Sequence, residues 1–186
     1  MALVSAARIK PSLKINPDII IFDETHSTLI ESVIPDGLTI SVFNMRPTEF
    51  YVTPIILFNF IRNLNNFRIR SCVTSKRGWL YEVFWQLLCI YIKADLSSRN
   101  PIAIVTFIDN CKKFAWLSEN FNEAPCIGVQ NGFRLSYAAN DEDSYYCQHL
   151  FCFGEREKVS YPKMGYKVDN FYPVGSLLLS SQLDNL

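Results

Sequence analysis

Two short runs constrain this chain most: DIIIF at residues 18–22 and IAIVTFI at residues 102–108. A strand with one face in water alternates apolar and polar residues. A run with almost no alternation has to be covered on both faces. Further β-type runs fall at 38–43, 124–129, 149–153 and 171–174. Between them lie stretches with helical spacing, at 26–33, 53–63, 79–94, 112–120 and 155–164. In 79–94, for example, Leu80, Val83, Phe84, Leu87, Leu88 and Tyr91 recur on one face. Strands separated by helices indicate parallel βαβ units. The expected fold is therefore α/β: a three-layer α/β/α, Rossmann-like, open and mainly parallel sheet of about six strands. Residues 17–176 are expected to form this lobe, with 1–16 as an N-terminal extension and 177–186 as a linker or tail. Thr25 or Ser27 is placed to cap the first helix, and Asp109 or Asn110 the one at 112–120. Residues 68–75 read as a short strand, and the acidic stretch within 136–144 as a solvated loop.

The charge balance narrows the partners. Lys plus Arg and Asp plus Glu are both 18 among 186 residues. A nucleic-acid footprint would normally appear as a basic excess, so nucleic acid is not an expected partner. No run reaches the roughly 20 apolar residues that a spanning helix needs, since 79–92 is interrupted by Glu82 and Gln86. A cytoplasmic location is expected, with peripheral contact to the inner membrane left open. The six cysteines form no CxxC pair and sit mostly in apolar runs, the pattern of reduced buried thiols. Only two histidines are present, so no metal is expected.

In an open parallel sheet, ligands bind beyond the carboxyl ends of the strands. The residues there are rich in carboxylate, amide and guanidinium groups: Asp23, Glu24, Thr25 and His26; Asn44 and Arg46; Asp109 and Asn110; Gln130, Asn131, Gly132 and Arg134; Gly154 and Glu155; Gly175 and Ser176. Each can be accounted for singly as a cap or turn residue. Together they suit a hydroxyl-rich or phosphorylated ligand. His26 lies in a loop after a strand, where it could act as a general base. The chain has no GxGxxG, no GxxxxGK[ST] and no GxSxG, which disfavours dinucleotide, P-loop and nucleophile-elbow chemistry.

The segments PDIIIFDE, FNMRPTEFYV, IVTFIDNCKKFAWLSE, CIGVQNGFR and FCFGEREKVSYPKMGYKVDNFYPVGS resemble the N-terminal half of bacterial surface-carbohydrate (capsule and O-antigen) biosynthesis transferases with GT-B-like architecture. These are distantly similar to CDP-glycerol glycerophosphotransferases and Kdo transferases of cell-envelope synthesis. The resemblance implies the acceptor-side lobe of a two-lobed enzyme, inactive without a donor-binding lobe in the same gene or in a partner chain. It implies a glycan acceptor, and no cofactor beyond a nucleotide-activated sugar donor that requires that second lobe. In this reading Asp109 is the candidate base, with Asp23 and Glu24 behind it. Arg46, Asn110, Gln130, Asn131, Gly132, Arg134, Gly154, Glu155 and Ser176 contact substrate. Related phosphotransferases carry a His where this chain has Asn131, so a base at that position is lost. The competing reading is a stand-alone Rossmann-like interaction module without catalysis, marked by exposed aromatics such as Trp79, Trp85 or Phe50 and Tyr51. A single-domain hydrolase is disfavoured because no nucleophile–base pair is evident.

Overall fold

A computed structural model describes residues 8–10, 16–44, 49–67, 78–133 and 145–183. The chain divides into two compact units, one containing residues 1–16 and 46–100 and the other residues 17–45 and 101–186. The expected 17–176 lobe is thus interrupted by a unit with its own packing.

The larger unit holds six parallel strands: β2 (Ile19–Phe22), β3 (Ile40–Phe43), β5 (Ala103–Thr106), β6 (Cys126–Val129), β7 (Tyr146–Cys152) and β8 (Lys167–Pro173). Their order is β3-β2-β5-β6-β7-β8 and every pairing is parallel. This is the expected open α/β sheet. The interior strand β2 is buried at every residue, as its unbroken apolar run requires. The edge strands β3 and β8 are more exposed. The helices of this unit are α1 (Ser27–Glu31), α4 (Lys112–Asn120), α5 (Glu157–Lys163) and α6 (Leu177–Leu183). Ile21 packs with Ile30 of α1, Phe107, Val129 and Leu177 of α6. Its neighbour Phe22 instead meets Phe43 and, from α4, Phe114. Successive side chains of a strand point to opposite faces, so both faces of the sheet are covered.

Several boundaries differ from the sequence reading. β7 and β8 begin earlier: the edge strand β8 tolerates polar residues such as Asp169 and Asn170, and in the interior strand β7 the Gln148 amide is satisfied by the Cys126 N–H and the Ser118 and Phe121 carbonyls. The helix starting at Trp79 runs on to Arg99, where Arg99 makes a bidentate pair with Asp95 in the last turn. The stretch 177–183 is a helix rather than a tail, held by the Ser176 hydroxyl, which accepts from the Leu179 N–H at 3.3 Å. Neither Thr25 nor Ser27 caps α1, whose cap is His26 in a left-handed conformation. Neither Asp109 nor Asn110 caps α4, which begins after Cys111. The expected strand at 68–75 and loop at 136–144 lie outside the described residues.

At the amino ends of β2 and β3, Asp18 accepts from the Thr39 N–H at 2.8 Å and the Thr39 hydroxyl at 2.7 Å. These bonds hold the Asp18 carboxyl below its ordinary range. At the other end of β2, the buried Thr106 hydroxyl donates to the Phe22 carbonyl at 2.8 Å and accepts from the Ile108 N–H at 3.1 Å.

The second unit contains β1 (Arg8–Lys10) parallel to β4 (Glu49–Tyr51), α2 (Pro54–Asn63) and α3 (Trp79–Arg99). Thr53 caps α2 by accepting from the Ile56 N–H at 3.2 Å, and Pro54 takes the first helical position. The Tyr91 hydroxyl of α3 clasps β4, accepting from the Tyr51 N–H at 2.7 Å and donating to the Tyr51 carbonyl at 3.2 Å. Burial pushes the Tyr91 hydroxyl up to about 12.

These contacts make the two hydroxyls testable. Thr106→Val should cost about 1–3 kcal/mol in urea denaturation, because it strips a buried carbonyl and a neighbouring N–H of their partner. Tyr91 stays neutral in the fold at a pH where it ionises in the unfolded chain. The stability it contributes is therefore full below pH about 10 and is lost as pH rises through about 12. Tyr91→Phe should flatten stability over that window and lower it by about 1 kcal/mol at neutral pH, read from thermal melts across the alkaline range.

Candidate functional site

From β2 the chain steps to β3 on one side, and later to β5 on the other. The direction of winding reverses between β2 and β5, the position at which open parallel sheets generally form a ligand crevice beyond the strand carboxyl ends. Asp23 follows β2 directly. Its backbone has φ of 97° and its carboxylate accepts from the Thr25 N–H at 2.8 Å. A non-glycine residue with such a φ is strained. His26, three residues on, has φ of 57°, and its ring lies 4.9 Å from Phe107 in the loop after β5. Glu24, Thr25 and His26 are exposed, whereas Asp23 is buried. After β5, Asn110 is exposed and Cys111 partly so. The Cys111 thiol is raised mainly by burial, with the Asp23 charge adding to it and the N–H groups of Phe114 and Lys113 opposing. Raised thiols are poor nucleophiles at neutral pH, so Cys111 is not activated.

Asp109 sits differently from the expected base. It is only 7% exposed, and the buried Tyr161 hydroxyl of α5 donates to it at 3.2 Å. Gly128 in β6 lies beside it and makes room chiefly for the Cys147 thiol. A Cβ built there would lie 3.6 Å from the Asp109 Cβ and 3.1 Å from the Cys147 Sγ. Burial pushes the Cys147 thiol up to about 12. The carboxylate of Asp109 ties the end of β5 to α5.

Gln130 also turns inward. At 2% exposure, it accepts from the Phe153 N–H at 2.9 Å and donates to the Gly132 carbonyl at 3.0 Å. Its amide thus joins the loops after β6 and β7. Asn131 and Gly132 are half-buried beside it, and the exposed Phe133 stands edge-on to Phe153 at 5.3 Å. Gly154 is half-buried, and the exposed Glu155 pairs with Lys158 at 2.8 Å. Ser176 serves α6 as its hydroxyl cap. Arg46 and Arg134 lie outside the described residues. The structure therefore places Asp23, Glu24, His26 and Asn110 after the carboxyl ends of two adjacent strands, β2 and β5. It spends Asp109, Gln130 and Ser176 on internal bonds.

Sequence reasoning missed Glu157, a buried carboxylate in the first turn of α5. It also missed Tyr161 as the partner of Asp109. Counting α5 from Glu157 puts both residues on one face, since they are four apart. Among the described residues, no group of three His, Cys, Asp or Glu side chains is arranged to hold a metal ion. No helix of these residues is long and apolar enough to cross a membrane. No family model matches the chain, and neither a curated protein nor a solved structure matches it.

The inward bonds give a stability prediction. Asp109→Ala leaves the Tyr161 hydroxyl buried without this acceptor and should cost about 1–3 kcal/mol. Asp109→Asn retains an acceptor oxygen and should cost less than half as much. Equal losses in chemical denaturation would contradict the hydrogen bond as the reason for the residue.

Proposed function

We propose that the larger unit is the acceptor-side lobe of a glycosyltransferase-like enzyme, receiving a hydroxyl-rich ligand in the crevice between β2 and β5. The observation that carries this reading is the strained turn after β2. Asp23 and His26 both hold positive φ where the winding reverses, and strain of this kind concentrates where a site needs fixed geometry. The groups that reach solvent there also suit the task. Glu24 and Asn110 offer an acceptor and an amide for paired hydroxyl recognition. His26 takes the role of base in place of Asp109. It is exposed, it is propped by Phe107, and a neutral imidazole can accept a proton from an attacking hydroxyl. Asp109, held by Tyr161 below the surface, supports the floor of the loop. The donor, a nucleotide-activated sugar, is assigned to a second lobe. The likeness of the motif series to surface-carbohydrate transferases supports the same reading, with capsule or lipopolysaccharide precursors as the acceptor class.

Protein-observed NMR of the full chain tests this. Short cell-surface glycans should shift the amides of Glu24, Thr25, His26 and Asn110, and free nucleotides and nucleotide sugars should not. His26→Ala should leave the glycan shifts in place with affinity reduced by less than about tenfold, since a base contributes to the reaction more than to binding. Tight nucleotide binding in this crevice would overturn the acceptor assignment.

A further inference from the structure

Glu157 is a buried carboxylate that no bond accounts for. It is 6% exposed, and among the described residues no hydrogen bond or ion pair reaches its side chain. Buried carboxylates are nearly always bonded or paired, because an uncompensated charge out of water is costly. The ordinary role of a glutamate in the first turn of a helix is a capping box, in which it accepts from the N–H three residues before it. Here that N–H belongs to Gly154, and the bond is not formed.

The carboxylate is instead aimed at an opening. A Cβ built on Gly154 would lie 3.7 Å from Glu157 Oε2. Apart from the chain neighbours of Gly154, it would meet no other heavy atom of the described residues within 4 Å. Gly154 does not hold a positive φ, so backbone conformation does not explain the glycine. The loop around it is fixed on both sides. The Phe153 N–H donates to Gln130 at 2.9 Å, and the Gly154 carbonyl accepts from the Glu157 N–H at 3.3 Å and the Cys152 thiol at 3.5 Å. Phe153 adjoins Gly154 in the chain, and the exposed Phe133 ring stands 5.3 Å from it.

The charges on α5 indicate what fits there. Lys158 is paired with Glu155, and Arg156 is exposed and makes no ion pair with Glu157. One turn along the same face, Tyr161 binds the buried Asp109. No Lys or Arg among the described residues of this unit is buried. A ligand hydroxyl would give Glu157 a bond but leave its charge unbalanced, so a cation fits better. A metal ion lacks the ligands, since no group of three His, Cys, Asp or Glu side chains is arranged for one among the described residues. A guanidinium needs a flat fork across both carboxylate oxygens, whereas an ammonium is compact and suits the one oxygen that faces the glycine.

We propose that the space over Gly154 binds a primary ammonium group through the Glu157 carboxylate, with the body of the ligand against Phe133 and Phe153. This inference does not rest on the site proposed after β2 or on its ligand. The test is protein-observed NMR of the full chain with glucosamine, glucose and N-acetylglucosamine. The three share a ring and carry an ammonium, a hydroxyl and an amide at one position. Glucosamine should shift the amides of Phe153, Gly154 and Glu157 and bind at least about tenfold more tightly than the other two. Glu157→Gln keeps the size of the side chain and removes its charge. It should weaken glucosamine binding at least about tenfold and should keep or raise the melting temperature, because no internal bond is lost. Gly154→Ala places its Cβ at ordinary contact distance, so it should fold as the wild type does and weaken binding several-fold by filling the space. Equal binding of the three sugars at these amides would overturn the proposal, as would no shift at them with glucosamine. So would a fall in melting temperature for Glu157→Gln, the mark of a carboxylate bonded within the fold. The amides of Glu24, His26 and Asn110 report on the other site, so the two readings fail separately.

Discussion

The adjacent interior strands β2 and β5 set the terms for the larger unit. Both are apolar almost throughout, so both faces of the sheet must be covered, and polar chemistry is driven to the strand ends. The amino end is closed by the reciprocal bonds of Asp18 and Thr39. The carboxyl end is where the winding reverses, the usual place for a ligand in such a sheet. Leaving a fully buried strand, the chain turns at once through Asp23 and, soon after, His26. Holding such backbone costs about 1–3 kcal/mol per residue. The buried Thr106 hydroxyl helps to hold this end in place by bonding the last carbonyl of β2.

The smaller unit follows another logic. Its β4 strand is clasped to α3 by one tyrosine hydroxyl rather than by a wide sheet. Its first helix leaves an apolar stripe open, and no acid lies within the same stretch of chain. A formal net charge of zero conceals this division, because the average cancels a basic, apolar segment against an acidic remainder.

The sheet is legible in the sequence because burial on both faces removes alternation, and a run such as DIIIF would be costly in a strand with one face in water. The helix at 112–120 is legible too, since its apolar positions and flanking turn residues agree. Ends are less so. Capping depends on where a side chain points, so Asp109 looks like a cap and a base while its actual partner, Tyr161, lies 52 positions away. Gln130 misleads in the same way: an amide in a loop after a strand looks ready for ligand, yet it bridges two loops. The helix at 177–183 escapes a sequence reading because it is only seven residues long and the anchoring contact of Leu177 is tertiary. The two-unit division is hidden because residues distant in sequence share each unit.

Gly128, Asp109, Cys147 and Tyr161 form a small interlocked set beneath the floor of β6. The missing side chain of the glycine leaves the room that the thiol occupies, the carboxylate lies in contact beside it, and the tyrosine answers the carboxylate. None of the four can change size or polarity alone without crowding a neighbour or stranding a polar group. Natural variation within the set is therefore expected to be concerted. A larger residue at 128 should travel with a smaller one at 147, and loss of the acid at 109 with loss of the hydroxyl at 161.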